Sequence, residues 1–385
     1  MKSLLTFIFV IFAYVSFAQK PAAEDLSQYI PLLKDKKVGL TANHTSLVGK
    51  EHLLDILLKN NVNVVKIYAP EHGFRGTAGA GEIVDHSKDE KTGLPVISLY
   101  GNNKKPAKEQ VAGLDCMVFD MQDVGTRFYT YLSTMHYIME VCAENDIHLF
   151  VLDRPNPNGF YIDGPVLEPS CKSFVGMHQI PVVHGMTLGE LALMINSEKW
   201  LANGAECKLT VVKCSEYTHC SKYHLPVGPS PNLPDMQSIY LYPTLCFFEG
   251  SPLSVGRGTD FPFKAIGHPY FKDNKKYPFS FVPKTSDGKI KPLLEGQVCY
   301  GIDFRQFDTD NISEINLDWI IDVYNDYSPK KDFFKPIFPK LAGNNILQKQ
   351  LAEGISAGEI RKSWKNNLDE FKRKRKQYLL YPDFY

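Results

Sequence analysis

Three side chains that can transfer a proton or hold an anion lie within five residues of one another, at Glu71, His72 and Arg75. Gly73 and Gly76 accompany them, and glycine lets a backbone turn tightly and approach a ligand closely. A carboxylate, an imidazole and a guanidinium grouped in this way indicate a catalytic or anion-binding loop. The alternative is an ordinary surface loop in which Glu71 pairs with Arg75 and His72 serves as a cap, because short charged loops are common.

Two alternating hydrophobic periods indicate the elements that must position this loop. Apolar runs predict strands at residues 37–41, 62–68, 95–99, 116–119, 148–152 and 209–212. Apolar helical faces predict helices at about residues 51–60, 105–112 and 132–144, and Thr187 with Glu190 has the form of a capping box that opens a further helix. Strands and helices in alternation predict an α/β fold with a doubly wound parallel sheet.

Polar clusters follow five of the predicted strands. They are residues 43–45, 71–75, 100–102, 120–131 and 153–157. The carboxyl ends of parallel strands share one edge of a sheet, and open α/β sheets bind ligands at that edge. We therefore expect these clusters to form one site.

The clusters supply the groups that a carbohydrate site needs. The carboxylates are Glu71, Asp120, Asp123 and Asp153, and the guanidinium groups that can hold an anionic substrate are Arg75, Arg127 and Arg154. The aromatic rings are Tyr100, Phe128, Tyr129 and Tyr131, and the neutral amides are Asn43, Gln122 and Asn156. Acids, rings and amides together are typical of sites that bind sugars and cleave glycosidic bonds. For Asp153 and Arg154, a local ion pair that fixes a loop is the alternative.

Other ligand classes lack their usual signals. The first predicted strand runs into residues 41–45 without a glycine fingerprint, and the glycine-rich run at 76–81 lies well past its own strand, so we expect no dinucleotide. The histidines show no HxH or HExxH spacing, and no EF-hand pattern occurs, so we expect no catalytic metal and no cofactor.

Composition bounds the location and the partners. Lysine plus arginine equals aspartate plus glutamate, at 43 residues each, which gives no reason to expect nucleic acid or a membrane surface as a partner. Residues 1–18 have the pattern of a cleaved signal peptide, and no later segment is apolar enough to span a membrane, so we expect an exported, periplasmic protein. In such a compartment Cys207, Cys214 and Cys220 are the expected disulfide formers. The remaining length favours two domains.

Five motifs resemble those of a known family. They span residues 70–76, 120–131, 152–157, 230–234 and 249–259, and read PEHGFRG, DMQDVGTRFYTY, LDRPNP, SPNLP and EGSPLSVGRGT. From about residue 37 to its end the chain resembles the exo-β-N-acetylmuramidases, NamZ-like glycoside hydrolases formerly classed as a domain of unknown function. The resemblance implies a Rossmann-like catalytic domain at residues 19–238 and a smaller α+β auxiliary domain at 239–385. It also implies release of N-acetylmuramic acid from the non-reducing end of peptidoglycan fragments, so that muramyl saccharides are the expected partners.

The resemblance implies a role for Glu71, and the chemistry of the other motif residues predicts theirs. Glu71 is the expected catalytic residue, which we predict to be the general acid. Asp123 is the predicted second carboxylate, as base or nucleophile; alternatively the substrate's own acetamido group attacks while Asp123 or Tyr129 orients it. Arg75 and Arg127 are the predicted holders of the lactyl carboxylate. The other expected substrate-binding residues are Asn43, His72, Tyr129, Arg154, Asn232, Glu249 and Arg257.

Some alternatives stay open at this point. The loop at residues 249–259 either folds over the cleft or is a domain-linking loop with one salt bridge. An esterase or amidase that acts on wall fragments is a second class of function, although no G-x-S-x-G elbow is present. A non-catalytic muropeptide-binding protein is a third class, and it would need the arginines and aromatic rings but no acid.

Overall fold

The computed structural model describes residues 19–70, 73–75, 87–285 and 291–384. Nine strands lie in the N-terminal part of the described chain. They are β1 (Lys37–Ala42), β2 (Leu47–Val48), β3 (Glu51–His52), β4 (Asn63–Ala69), β5 (Ser87–Lys88), β6 (Pro95–Ser98), β7 (Cys116–Asp120), β8 (His148–Leu152) and β9 (Leu209–Val212). Each predicted strand is confirmed, with ends that differ by at most one residue.

Seven of these strands form one sheet in the order β5-β6-β4-β1-β7-β8-β9. The six strands from β6 to β9 are parallel, and the short β5 pairs antiparallel with β6 at the edge. Numbered along the chain, the parallel strands follow the order 3-2-1-4-5-6, which is the Rossmann order. The predicted doubly wound α/β fold is confirmed.

Ten α-helices lie in the described parts of the chain. They are α1 (Leu26–Leu33), α2 (Leu53–Lys59), α3 (Lys108–Val111), α4 (Tyr131–Glu144), α5 (Leu188–Ser197), α6 (Met236–Leu245), α7 (Leu317–Asp326), α8 (Phe338–Ala342), α9 (Ile346–Ala352) and α10 (Ala357–Arg375). None of these helices is both long enough and apolar enough to cross a bilayer.

The central strands are buried on both faces, which is why their sequences are continuous apolar runs. In β7, Val118 packs into a cluster with residues of α1 and α2, whereas Met117 and Phe119 pack into a second cluster with residues of α4 and α5. Successive side chains of a strand point to opposite faces of its sheet. Helices therefore cover both faces, and the sheet edge at the carboxyl ends of the strands stays open to carry a site.

A second, smaller α+β domain follows, as predicted. Its antiparallel sheet consists of β10 (Ala265–His268), β11 (Phe279–Phe281) and β12 (Cys299–Asp303), in the order β10-β12-β11. The chain then returns to the first domain, because the Tyr381 hydroxyl donates to Asp153 Oδ2 at 2.6 Å and Arg375 donates to the Gly185 carbonyl. A division of the two domains near residue 238 stays a prediction.

The expected disulfides are wrong. All eight cysteines lie in described segments and are free. Cys207 and Cys214 are buried on either side of the extended strand β9, so the backbone holds them farther apart than the roughly 7 Å that a disulfide tolerates between Cα atoms. Cys220 is exposed.

Candidate active site

The order of the strands reverses between β1 and β7, and the loops after these two strands meet at that point. The Asn43 side chain is fully buried there and donates through Nδ2 to the Tyr131 hydroxyl at 2.7 Å. Its Oδ1 accepts from the backbone N–H of Thr45 at 2.9 Å and from the Thr45 hydroxyl at 2.6 Å. In this conformation Asn43 holds the two loops together, with both of its polar atoms engaged.

Asp123 is a buried carboxylate in the loop after β7. Its Oδ2 accepts from the backbone N–H of Gly125 at 2.6 Å, and its Oδ1 has no hydrogen-bond partner among the described residues. Burial raises the pKa of Asp123 to about 7, although the N–H groups of Gly125 and Val124 partly oppose the shift. Only glycine fits at position 125, because φ is +79° and an added Cβ would lie 2.1 Å from Asn156 Oδ1.

His184 faces Asp123, and no sequence motif had indicated it. Its Nδ1 accepts from the backbone N–H of Met186 at 3.2 Å, so a neutral ring carries its proton on Nε2. That Nε2 lies 3.8 Å from Asp123 Oδ2 and finds no hydrogen-bond partner in the described part of the chain. Burial lowers the pKa of His184 to about 3, with the charge of Arg375 acting in the same direction. The pair is therefore a neutral imidazole beside a carboxyl group that titrates near neutrality.

Arg154 pairs with the carboxylate at the end of β7. Its Nε lies 2.5 Å from Asp120 Oδ1 and its Nη2 lies 2.9 Å from Asp120 Oδ2, with both side chains buried. Asp153 instead accepts from Thr187 Oγ1 and Tyr381 Oη at 2.6 Å each. The predicted ion pair thus exists with Asp120 in place of Asp153, and it joins two neighbouring strands of the sheet.

Arg127 is buried and lines neither of two cavities in the described part of the structure. It is 1% exposed, and its guanidinium donates to the carbonyl groups of Pro165, Ile180 and Leu341 at 2.7–2.8 Å. Burial lowers the pKa of Arg127 to about 9. The expectation that Arg127 holds a substrate carboxylate is corrected on this geometry, because its Nη groups are taken by carbonyls of both domains.

Arg75 is half-buried and bound to acids of its own domain. Its Nε lies 2.6 Å and its Nη2 3.0 Å from the Asp89 carboxylate, and Asp55 is 3.6 Å away. Glu71 and His72 lie outside the described residues. The residues that flank them are hydrogen-bonded to each other: the backbone N–H of Gly73 donates to the carbonyl of Pro70 at 3.2 Å, and Pro70 comes directly after β4.

A cleft of about 890 Å³ lies between the two domains. Tyr100, Pro231 and Asn232 line it from the first domain, and residues 257–262 and 279–282 line it from the second. Two side chains of the sheet edge fix the loop that carries Asn232. His44 Nε2 donates to the Gly228 carbonyl and the Tyr129 hydroxyl donates to the Pro229 carbonyl, each at 2.9 Å.

Arg257 belongs to the wall of this cleft, whereas Glu249, which was predicted to join the site with it, is not among the residues that line the cleft. Its Nη2 lies 2.7 Å from Glu249 Oε1, and its side chain remains 38% exposed. The guanidinium also stacks over Phe263 at 5.2 Å from the ring centre, and its Nε has no hydrogen-bond partner in the described segments. The alternative prediction for this loop was a domain-linking segment with one salt bridge, and that salt bridge is present. The loop therefore both carries an ion pair and lines the cleft.

Among the described residues, no three His, Cys, Asp or Glu side chains group closely enough to hold a metal ion. The candidate site thus has three parts: a buried Asp123 with His184, a Tyr129–Tyr131–Asn43 cluster at the strand reversal, and a polar and aromatic cleft. The hydrogen bond from Tyr129 to the Pro229 carbonyl joins the cluster to the loop that lines the cleft. Such an arrangement can bind a polar ligand and move a proton.

These features define a class: a two-domain α/β protein with a Rossmann-order sheet and a ligand cleft between that sheet and a smaller α+β domain. Two family models match the chain, exo-beta-N-acetylmuramidase NamZ, N-terminal, over residues 38–237, and exo-beta-N-acetylmuramidase NamZ, C-terminal, over residues 240–381. The chain belongs to the NamZ family of exo-β-N-acetylmuramidases, which are glycoside hydrolases.

Individual relatives agree with this membership. The peptidoglycan beta-N-acetylmuramidase NamZ of Bacillus subtilis (strain 168) is 39% identical, over 94% of this chain and 92% of that protein. Two crystal structures of DUF1343 family proteins from Bacteroides fragilis NCTC 9343 have the same fold. One has a TM-score of 0.87 at 45% identity, over 95% of this chain and 100% of the other. The second has a TM-score of 0.81 at 31% identity, over 94% and 99%.

Proposed function

We propose that this chain releases N-acetylmuramic acid from the non-reducing end of peptidoglycan fragments. The observation that carries the proposal is that the family match spans both domains and that residues of two family motifs, Asn232 and Arg257, line the same cleft between them. The glycosidase is favoured over an esterase, an amidase or a non-catalytic binder because the family consists of muramidases. The test is release of N-acetylmuramic acid from a muramyl disaccharide by the purified protein.

Arg257 is the group that we propose for the lactyl carboxylate of muramic acid. Arg127 is enclosed by carbonyl groups, and Arg75 is held by Asp89 and does not line the cleft. Arg257 lines the cleft, its side chain is 38% exposed, and its Nη2 pairs with Glu249. A guanidinium binds a carboxylate through charge-assisted hydrogen bonds, which are the strong ones in proteins. N-acetylglucosamine has no lactyl group, so this contact would select muramyl over glucosaminyl sugars.

The prediction is that Arg257→Ala weakens binding of N-acetylmuramic acid by about tenfold to a hundredfold, since a hydrogen bond to a charged group contributes about 1.5–3 kcal/mol. Calorimetric titration measures this affinity, with N-acetylglucosamine as the matched ligand. Arg305→Ala is the control variant, because Arg305 lines the same cleft but both its Nε and its Nη2 are held by Asp303 at 2.7–3.1 Å, whereas Nε of Arg257 has no partner among the described residues. An equal loss for both sugars would contradict the assignment.

We also propose that the protein is exported to the periplasm after removal of residues 1–18. The support is the lysine, apolar run and small-residue ending of that segment. The prediction is that the mature protein begins at Gln19 and fractionates with periplasmic markers. Amino-terminal sequencing of the protein from its native cells checks this, and a chain that retains Met1 and stays in the cytoplasm would contradict it.

A further inference from the structure

A second pocket, of about 270 Å³, lies at the side of α6 and α7, and we name it the distal pocket. The residues of its lining that matter here are Tyr240, Phe307, Asn311, Ser313, Asn316 and Trp319. None of these residues belongs to the site described above. The combination of three aromatic rings with amide and hydroxyl groups is the chemistry that binds a sugar ring.

The aromatic and polar parts of the distal pocket are both placed for a ligand. Phe307 is 39% exposed and meets Trp319 edge-on, with ring centres 5.0 Å apart. Tyr240 is 4% exposed, yet its hydroxyl has no hydrogen-bond partner within the described parts of the chain. A buried hydroxyl without a partner is unfavourable, so a small shift of this ring that brings its hydroxyl to a ligand would stabilise the complex.

The walls of the distal pocket are fixed before any ligand binds. Gln237 Nε2 donates to the carbonyl groups of Phe304 and Phe307 at 2.8 Å each. Lys222 Nζ donates to the Asp310 carbonyl at 2.6 Å, and the backbone N–H of Ile315 donates to Asp163 Oδ2 at 2.7 Å. A pocket ordered in advance loses less conformational entropy on binding.

The distal pocket adjoins the cleft through one tight turn. Arg305 lines the cleft and Phe307 lines the distal pocket, and the backbone N–H of Phe307 donates to the Phe304 carbonyl at 3.0 Å. Two residues span at most roughly 7 Å of chain. A glycan that leaves the cleft at Arg305 therefore reaches the distal pocket within a few sugar residues.

We propose that the distal pocket binds a hexosamine ring of the same glycan chain whose terminal sugar occupies the cleft. The inference rests on the proposed function, because the bound chain is the substrate. Binding of a sugar ring in the distal pocket would make the enzyme prefer longer glycans over a disaccharide, since each further ring that occupies a pocket contributes favourable binding free energy.

The test compares kcat/KM for a peptide-free muramyl disaccharide and for the corresponding longer, peptide-free glycan strands. The wild type is expected to favour the strands, and Phe307→Ala is expected to lower kcat/KM for the strands about tenfold while leaving the disaccharide unchanged. Asn311→Ala should act in the same direction. Tyr270→Ala is the matched control, because Tyr270 is an aromatic residue of the same domain, 47% exposed, and it lines neither cavity.

Two outcomes overturn the proposal: a wild type without preference for the strands, or a Phe307→Ala variant that loses equally on both substrates. If the wild type cleaves neither substrate, the proposed function has failed, and binding of neutral chitotetraose then tests the distal pocket alone. Trp319 is one of three tryptophans, and its fluorescence should change on titration in the wild type and not in Phe307→Ala. An unchanged signal in the wild type would overturn the proposal in that case.

Discussion

Replacing Glu71 with glutamine is expected to lower turnover of a muramyl disaccharide by about two orders of magnitude or more, while binding of the substrate persists. Glutamine keeps the shape of the side chain but has no acidic proton to give to the glycosidic oxygen, so the leaving group must depart unprotonated. Glu71 follows Pro70 in the sequence, and Pro70 comes directly after β4. Strand β4 is paired in parallel with β1, so the carboxyl ends of both strands lie on the same side of the sheet.

The measurement separates chemistry from binding. Single-turnover rates report the chemical step, and calorimetry on the same variant reports the affinity for the substrate. Glu109→Gln is the matched control, because Glu109 is an exposed glutamate on α3 and loses its charge in the same way. If the Glu71→Gln variant turned over substrate at nearly the rate of the wild type, this result would contradict the assignment of Glu71 as the general acid.

The fold could be predicted from the sequence because the central strands are so strongly patterned. Strands such as β7 and β8 are buried on both faces, so each had to be a short continuous apolar run, and their bounds were correct within one residue. The helix predicted from residue 51 begins two residues later, at Leu53. Residues 51–52 instead pair with 47–48 in a small antiparallel ladder, and helical periodicity cannot reveal such a pairing.

The edge of the sheet that carries the site was also predictable, since parallel strands bring their carboxyl ends together whatever the loops contain. The sequence did not predict which side chains contact one another within the site. Arg127 contacts the Leu341 carbonyl, which is 214 positions away in the chain, and that contact depends on how the second domain docks. His184 belongs to none of the motifs found in the sequence, and only the packing of a long connection between β8 and α5 brings it to Asp123.

Charge pairing gives the same lesson. Asp153 and Arg154 are neighbours in the sequence, which favoured a local pair, but consecutive side chains at the end of a strand point to opposite faces. Arg154 therefore meets Asp120 at the end of the adjacent strand β7, and Asp153 meets Thr187 and Tyr381. A sequence shows which charges stand at the sheet edge, whereas the alternation of strand faces decides which of them touch.

Replacing Asp123 with asparagine is expected to lower turnover by about a hundredfold or more if Asp123 is the second working carboxylate. Asparagine is of the same size and can still accept the hydrogen bond from the Gly125 N–H, but it cannot act as a base or a nucleophile. A base must be ionised to act, and the pKa of Asp123 is raised to about 7. The rate of the wild type should therefore rise with pH through about 7, and that rise should be absent from the residual activity of the variant.

Thermal unfolding distinguishes this role from a structural one. The folded state keeps the Asp123 proton up to about pH 7, whereas an unfolded chain releases it near the ordinary value of 3.8. Between these values the folded state binds more protons, so this residue makes the wild type less stable as the pH rises. Asp123→Asn removes that dependence, and at pH 8 its Tm should equal or exceed that of the wild type. A variant that is as stable as the wild type yet nearly inactive would place Asp123 in the chemistry. A stable variant with full turnover would exclude it and leave attack by the substrate's acetamido group, for which proton NMR of the first-formed anomer should show retention.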